Sequence, residues 1–169
     1  MKENYLIKCF LTILICFVID STISYFLPYN YTKSSVVIVP AIGLMMFALL
    51  VKTITGAERY FFAAVCGVYY SIVYSNSLAI YILIYCLIAF VRSYIIKVKE
   101  FSMIESSLFC ISTIFVEEIV VYWLMWITNT TNYAIFSFTT MRLIPTLLFN
   151  FVLSFVVYYI YNQIKIEVK

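Results

Sequence analysis

The chain has 169 residues, 65% hydrophobic and 11% charged, with a mean hydropathy of +1.04 and a formal charge of +3. A soluble domain is near half apolar and about a quarter charged, so a soluble globular protein and a nucleic-acid binder are both excluded. The composition predicts an all-α polytopic transmembrane bundle, a single integral membrane domain over residues 1–169.

Apolar runs of spanning length predict six spans. The first, 5–27, carries Asp20; no small-x-small site follows it, so it is expected to stay as an anchor, not leave as a signal peptide. The second, 35–51, is followed by Lys52 and Arg59. The third, 60–74, is short, and either tilts little or extends through Glu58 and Arg59. The fourth, 78–95, leads to Lys97 and Lys99. The fifth, 104–127, contains FVEEIVVYWLMW, in which Glu117 and Glu118 stand side by side among ten apolar residues. The sixth, 143–161, begins just after Arg142. Drawn this way, nine basic residues, Arg92 among them, fall on one side and only Lys33 and Arg142 on the other. Basic residues mark the cytoplasmic side, which predicts both termini there. The short connections leave no room for a soluble catalytic domain.

The five cysteines all lie in predicted spans, the chain has no histidine, and no CxxC pair occurs. No metal or cofactor is expected, and the cysteines read as small apolar packing residues. Asn30-Tyr31-Thr32 and Asn129-Thr130-Thr131 match the glycosylation pattern. Richness in Ile, Asn, Lys, Phe and Tyr, served by AT-rich codons, points instead to a bacterial source and a bacterial plasma membrane. With three glycines, the chain has no GxxxG seam.

An ionised side chain at the bilayer centre costs about 2.5–3.5 kcal/mol on the lenient insertion scale, so the intramembrane carboxylates need partners. Asp20 and the glutamates lie roughly 10–15 Å below the outer boundary at a rise of 1.5 Å per residue. Arg142 starts near that boundary, and Asn150 lies about 12 Å further along, level with the glutamates. A polar cluster of Asp20, Glu117, Glu118, Arg142 and Asn150 follows, either structural or partner-related, with nothing catalytic in it. Adjacent helical residues diverge by about 100°, so the two glutamates cannot share one partner. Spacing favours Glu117 as the inward one, on a stripe with Ser106, Cys110 and Thr113.

A Glu-Glu pair in a membrane helix resembles the CAAX-protease-like peptidases, but Tyr122 stands where their motif has arginine and no histidine supports it. A serine peptidase and a nucleotide site lack their loops. The segment Arg142-x-x-Pro145-Thr146-x-x-x-Asn150 resembles the start of the last helix in the rod shape-determining MreD family. The likeness extends to chain length, the six-span pattern, Asp20-Ser21, Gly67-x-x-Tyr70 and Glu118. Ser71 and Ala79 depart from the family's usual aspartate and glycine. The resemblance selects Glu118, not Glu117, as the partner of Arg142, with Asn150 or Asp20 completing the network, and it adds Pro145 to the candidate residues.

The resemblance implies a non-enzymatic scaffold of the cell-wall elongation machinery, supporting peptidoglycan synthesis and cell shape. Its implied partners are an MreC-like single-span protein, a RodA-type polymerase and a transpeptidase, with membrane lipid around it and no nucleic acid. It also implies a fold similar to the substrate-binding subunits of energy-coupling-factor vitamin transporters. A small-molecule uptake subunit is therefore the alternative, although the first span lacks the Ala-x-x-x-Ala docking step of those subunits. A membrane assembly factor is a third reading.

Overall fold

The computed structural model describes residues 2–27, 36–54, 56–74, 78–95, 101–131 and 134–166. Lys33, the glycosylation pattern at 30–32, Lys97, Lys99 and Lys169 lie outside the described residues. Among the described residues every regular element is helical, as the composition predicts.

Helix α1 (Lys2–Phe26) contains no glycine or proline and stops short of Pro28, whose ring disfavours helical backbone at the preceding residue. Helices α3 (Ala57–Tyr74) and α4 (Leu78–Phe90) pack along each other, and α4 continues as a π-helical turn over Val91–Ile95. Helix α3 thus includes Glu58 and Arg59, the second of the two alternatives for the third apolar run. A Cβ on Gly67 would lie 2.7 Å from the Ile82 Cα, so the closeness of α3 to α4 depends on that glycine. Helix α5 (Met103–Ile127) opens on a capping box: Ser102 Oγ accepts from the Glu105 N–H, and the Ser102 N–H donates to Glu105 Oε2 at 2.8 Å. It closes after Thr128, where Asn129 takes a positive φ of 53°.

The last helix starts earlier than hydropathy suggests. Helix α6 (Ile135–Phe138), a π-helical turn over Thr139–Leu143, and α7 (Ile144–Ile166) follow one another without a break. Arg142 therefore lies inside this rod, seven residues beyond Ile135, and does not open it. The apolar Ile135 and Phe136 extend the helix beyond the arginine.

Three helical stretches, Tyr5–Phe26, Met103–Ile127 and Ile135–Ile164, are long and apolar enough to cross a membrane. Their outward faces are apolar, with Leu11, Ile15, Leu108, Leu148 and Val152 exposed. Exposed apolar surface on this scale suits hydrocarbon and not water.

The second expected span differs most. Residues 36–41 run without helix, and only α2 (Ile42–Leu50) is helical. The four β-branched residues Val36–Val39 favour extended backbone, and Pro40 disfavours helix at Val39. Every residue of α2 is buried. It lies at the centre, packed against α1, α5 and α7. Phe47 meets Tyr85 of α4 at 4.7 Å between ring centroids and Phe62 of α3 at 5.7 Å. Cys9, Cys16, Cys66 and Cys110 are buried in the same core.

Candidate functional site

Non-helical backbone in a dry interior must find partners for its N–H and C=O groups, since each one left unpaired costs several kcal/mol. The segment leading into α2 meets this need from two distant parts of the chain. The Val37 N–H donates to the Met141 carbonyl at 2.8 Å. The Val39 N–H donates to Thr146 Oγ1 at 3.2 Å, and the Val39 carbonyl accepts from Asn150 Nδ2 at 2.7 Å. Pro40 has no N–H to satisfy. The Ala41 N–H donates to Asn150 Oδ1 at 2.9 Å. The next two N–H groups, of Ile42 and Gly43, donate to Asp20 Oδ1 and Oδ2 at 2.8 and 2.7 Å.

Asp20 thus caps α2 from another helix. Ala41 has no side chain able to cap it, and the carboxylate supplies both the acceptors and the negative charge that a helix N-terminus favours. Gly43 makes the approach feasible: a Cβ there would sit 3.2 Å from Asp20 Oδ2 and 2.4 Å from the Phe17 ring. At the opposite end of α2, Arg59 Nε donates to the Val51 and Ile54 carbonyls at 3.2 and 2.8 Å. The Thr53 hydroxyl, which pairs with Tyr5, donates to the Leu50 carbonyl. The short helix is held by an acid at its positive end and a base at its negative end, as its dipole favours.

Each polar member of the Arg-x-x-Pro-Thr-x-x-x-Asn stretch has a place in this arrangement. Thr146 and Asn150 clamp the 37–41 backbone directly, and both are fully buried. Pro145 has no N–H to give to the carbonyl four residues back, which is that of Met141. That carbonyl is the one that accepts from Val37. Arg142 donates to Glu118 through two atoms, Nε to Oε2 at 2.7 Å and Nη2 to Oε1 at 3.1 Å. This forked pairing is the strong, orientation-fixing form of an ion pair. It joins α5 to the π-helical turn that precedes α7.

The structure therefore brings Arg142 and Glu118 together and puts Asp20 and Asn150 to a different use. The latter two bond the backbone of 39–43, where the sequence led us to expect that one of them would complete the arginine's network. The reason is the break in the second span, which offers unpaired N–H groups nearer to both. Glu117 also faces the interior, on the buried stripe with Ser106, Cys110 and Thr113. Its neighbour Glu118 lies on the same broad face, and both are buried.

Sequence reasoning missed Thr146 as a site residue, together with Gly43 and Arg59. Arg92 was read as a charge at a membrane boundary, but it is only 2% exposed. Its guanidinium lies 4.2 Å from the Phe101 ring centroid and 5.5 Å from that of Phe109, a stacked cation–π arrangement. Aromatic residues entering and within α5 create a site that a count of charges does not register.

Beyond the ion pair lies a cavity of about 350 Å³, bounded by Glu118, Arg142, Tyr122, Thr130, Ser137 and Met141 among others. The Tyr122 and Phe138 rings stack at 4.2 Å along its wall. Comparison with protein-family models, with curated proteins and with solved structures gave no match.

Proposed function

We propose that this chain is a non-enzymatic membrane scaffold of the MreD type. In this reading it is a multi-pass protein of the bacterial plasma membrane, with both termini cytoplasmic. It binds an MreC-like single-span protein and supports peptidoglycan synthesis by a RodA-type polymerase and a transpeptidase. One observation carries the reading: Arg142, Pro145, Thr146 and Asn150, the residues of the resemblance, all serve to hold the broken span and the α5 contact. Side chains engaged in this way build a rigid body and leave binding to the outer faces. Copurification in mild detergent with the MreC-like protein of the same cell tests the partner. Reporter fusions at Thr131 and Lys169 test the topology and should report opposite sides of the membrane.

The cavity of about 350 Å³ beside Arg142 and Glu118 favours a second reading, a small-molecule uptake subunit. Pockets of this size with a few convergent polar groups hold small ligands. If the protein purified alone with a vitamin bound at micromolar affinity or tighter, the uptake reading would replace the scaffold.

A further inference from the structure

The cavity of about 350 Å³ beside the C-terminal part of α5 has walls of two kinds. Val121, Met125, Phe138 and Met141 are apolar, while Glu118, Arg142 and Ser137 are polar. The volume is at the small end of ligand pockets.

The polar wall has a sign. The Arg142–Glu118 pair does not present its two charges equally, because the arginine side chain is 21% exposed and the glutamate side chain 4%. The carboxylate is buried behind the guanidinium that donates to it twice. Ser137 adds a hydroxyl. Thr139 and Thr140 donate theirs to carbonyls one turn back, but that of Ser137 makes no hydrogen bond among the described residues. The helical stretch Ile135–Ile164 begins on this side, which puts the positive end of its dipole here. Helix α5 ends on the same side, and its negative end is already occupied: the Leu124 carbonyl accepts from Thr128 and the Met125 carbonyl from Thr130. What faces the cavity therefore favours an anion. A guanidinium, a hydroxyl and the positive end of a helix are groups that hold phosphate oxygens.

Depth and the apolar wall narrow the ligand further. Arg142 is seven residues from Ile135, about 10 Å at helical rise. Trp123 and Trp126 are exposed on the neighbouring part of α5, and tryptophan gathers at headgroup level. The cavity thus runs from the headgroup layer to the edge of the hydrocarbon. An ion with no apolar part would leave Val121, Met125, Phe138 and Met141 uncovered.

We propose that this cavity binds a phosphate ester with an apolar body, its phosphate against Arg142 and Ser137 and its apolar part on Val121, Met125, Phe138 and Met141. The head of an acidic phospholipid and a small soluble phosphate ester share this chemistry. The site goes beyond the scaffold reading and does not depend on it; from the uptake reading it keeps only the occupied cavity.

The test uses the full chain purified in a maltoside detergent, which carries no phosphate, and melted with a thiol dye that reads the buried cysteines. Dihexanoylphosphatidylglycerol or phenyl phosphate should raise the melting point in a saturable way, and uncharged dihexanoylglycerol should not. The tighter of the two phosphates identifies the source, bilayer or solution. Met125→Trp, which fills the cavity and leaves the ion pair in place, should abolish the response. Ser137→Ala should weaken the apparent affinity roughly tenfold, the scale of one hydrogen bond to a charged group. Leu148→Trp, on the outward face of α7, should leave it unchanged. A photoreactive analogue of the tighter ligand needs no variant: on the native chain its label should fall within residues 118–142, and labelling that favours Leu14 or Val152 overturns the site even if Met125→Trp fails to fold. Equal stabilisation by dihexanoylglycerol, no stabilisation by either phosphate, or a full response in a folded Met125→Trp protein also overturns it. If a vitamin binds and neither phosphate does, this proposal fails and the uptake reading stands.

Discussion

Asn150→Leu tests the central claim that polar side chains hold the break before α2. Leucine nearly matches asparagine in size but offers no hydrogen bond. The substitution removes the acceptor of the Ala41 N–H at 2.9 Å and the donor to the Val39 carbonyl at 2.7 Å. It also removes the contact to the Thr146 carbonyl at 2.9 Å. Two buried backbone groups are left without partners, each at about 1–3 kcal/mol. Polar contacts within membranes run weaker than in water-soluble cores because the separated helices find other partners. The expected loss is therefore about 2–4 kcal/mol. At roughly 2–4 °C per kcal/mol for a chain of this length, the melting point should fall by about 5–15 °C. The protein carries its own reporters, because Cys9, Cys16, Cys66 and Cys110 are buried and react with a thiol dye only on unfolding. Ser112→Ala is the control, since that exposed hydroxyl bonds only within its own helix. A shift for Asn150→Leu no larger than the control's would show that the extended segment is held by something else.

Four further substitutions address the rest of the arrangement. Arg142→Ala strands a buried Glu118, which costs about 3–5 kcal/mol in soluble cores and nearer ~1 in membranes; Glu118→Gln should partly relieve it, and zero coupling in a double-mutant cycle on thermal stability would reduce Arg142 to a headgroup anchor. Replacing proline within a helix ordinarily gains up to about 3 kcal/mol, but Pro145→Ala should gain little, because the new N–H competes with Val37 for the Met141 carbonyl; a gain near the full value in the same melting assay would refute that role. Gly43→Ala should lower the melting point by several degrees, since its Cβ would overlap the Phe17 ring and crowd Asp20; an unchanged melting point would mean that Phe17 and Asp20 move aside freely.

The sequence made the long helices legible because one physical quantity, the length of an apolar run, determines them. The run at 104–127 became α5 with its boundary moved by one residue. That Arg142 would pair with a carboxylate of α5 was legible for a similar reason, since opposite charges buried at comparable depth have few alternatives to each other; which of the two it would be was not, because helical spacing pointed to Glu117 and only the resemblance to Glu118. Hydropathy failed at residues 36–41 because it scores valine and isoleucine as apolar whatever backbone they adopt. The local signal was present in the β-branched run before Pro40, and reading it would have broken the second span. The use of Asp20 was not legible, because its partners are backbone groups that exist only once that break is known. The burial of Arg92 was not legible, because the site that encloses it is built from Phe101 and Phe109, later in the chain.

Why retain a break that needs four polar groups to support it? Between helices in lipid, the hydrophobic effect supplies little attraction, so helix positions depend on close packing and on polar contacts. A continuous second helix would satisfy its own backbone and leave its neighbours free to slide or rotate. The broken one cannot. Its N–H groups fix Asp20 of α1 and, more than a hundred residues later, Thr146 and Asn150 of α7. The first and last helices are thereby tied to one point on the central helix, and Arg142 ties α5 to the same region through Glu118. Each tie has a single register, since shifting any helix by one residue turns its polar group by about 100° away from its partner. Fixed registers fix which residues face outward. For a protein proposed to work by presenting faces to partners, holding those faces in place is the function that the buried polar residues serve.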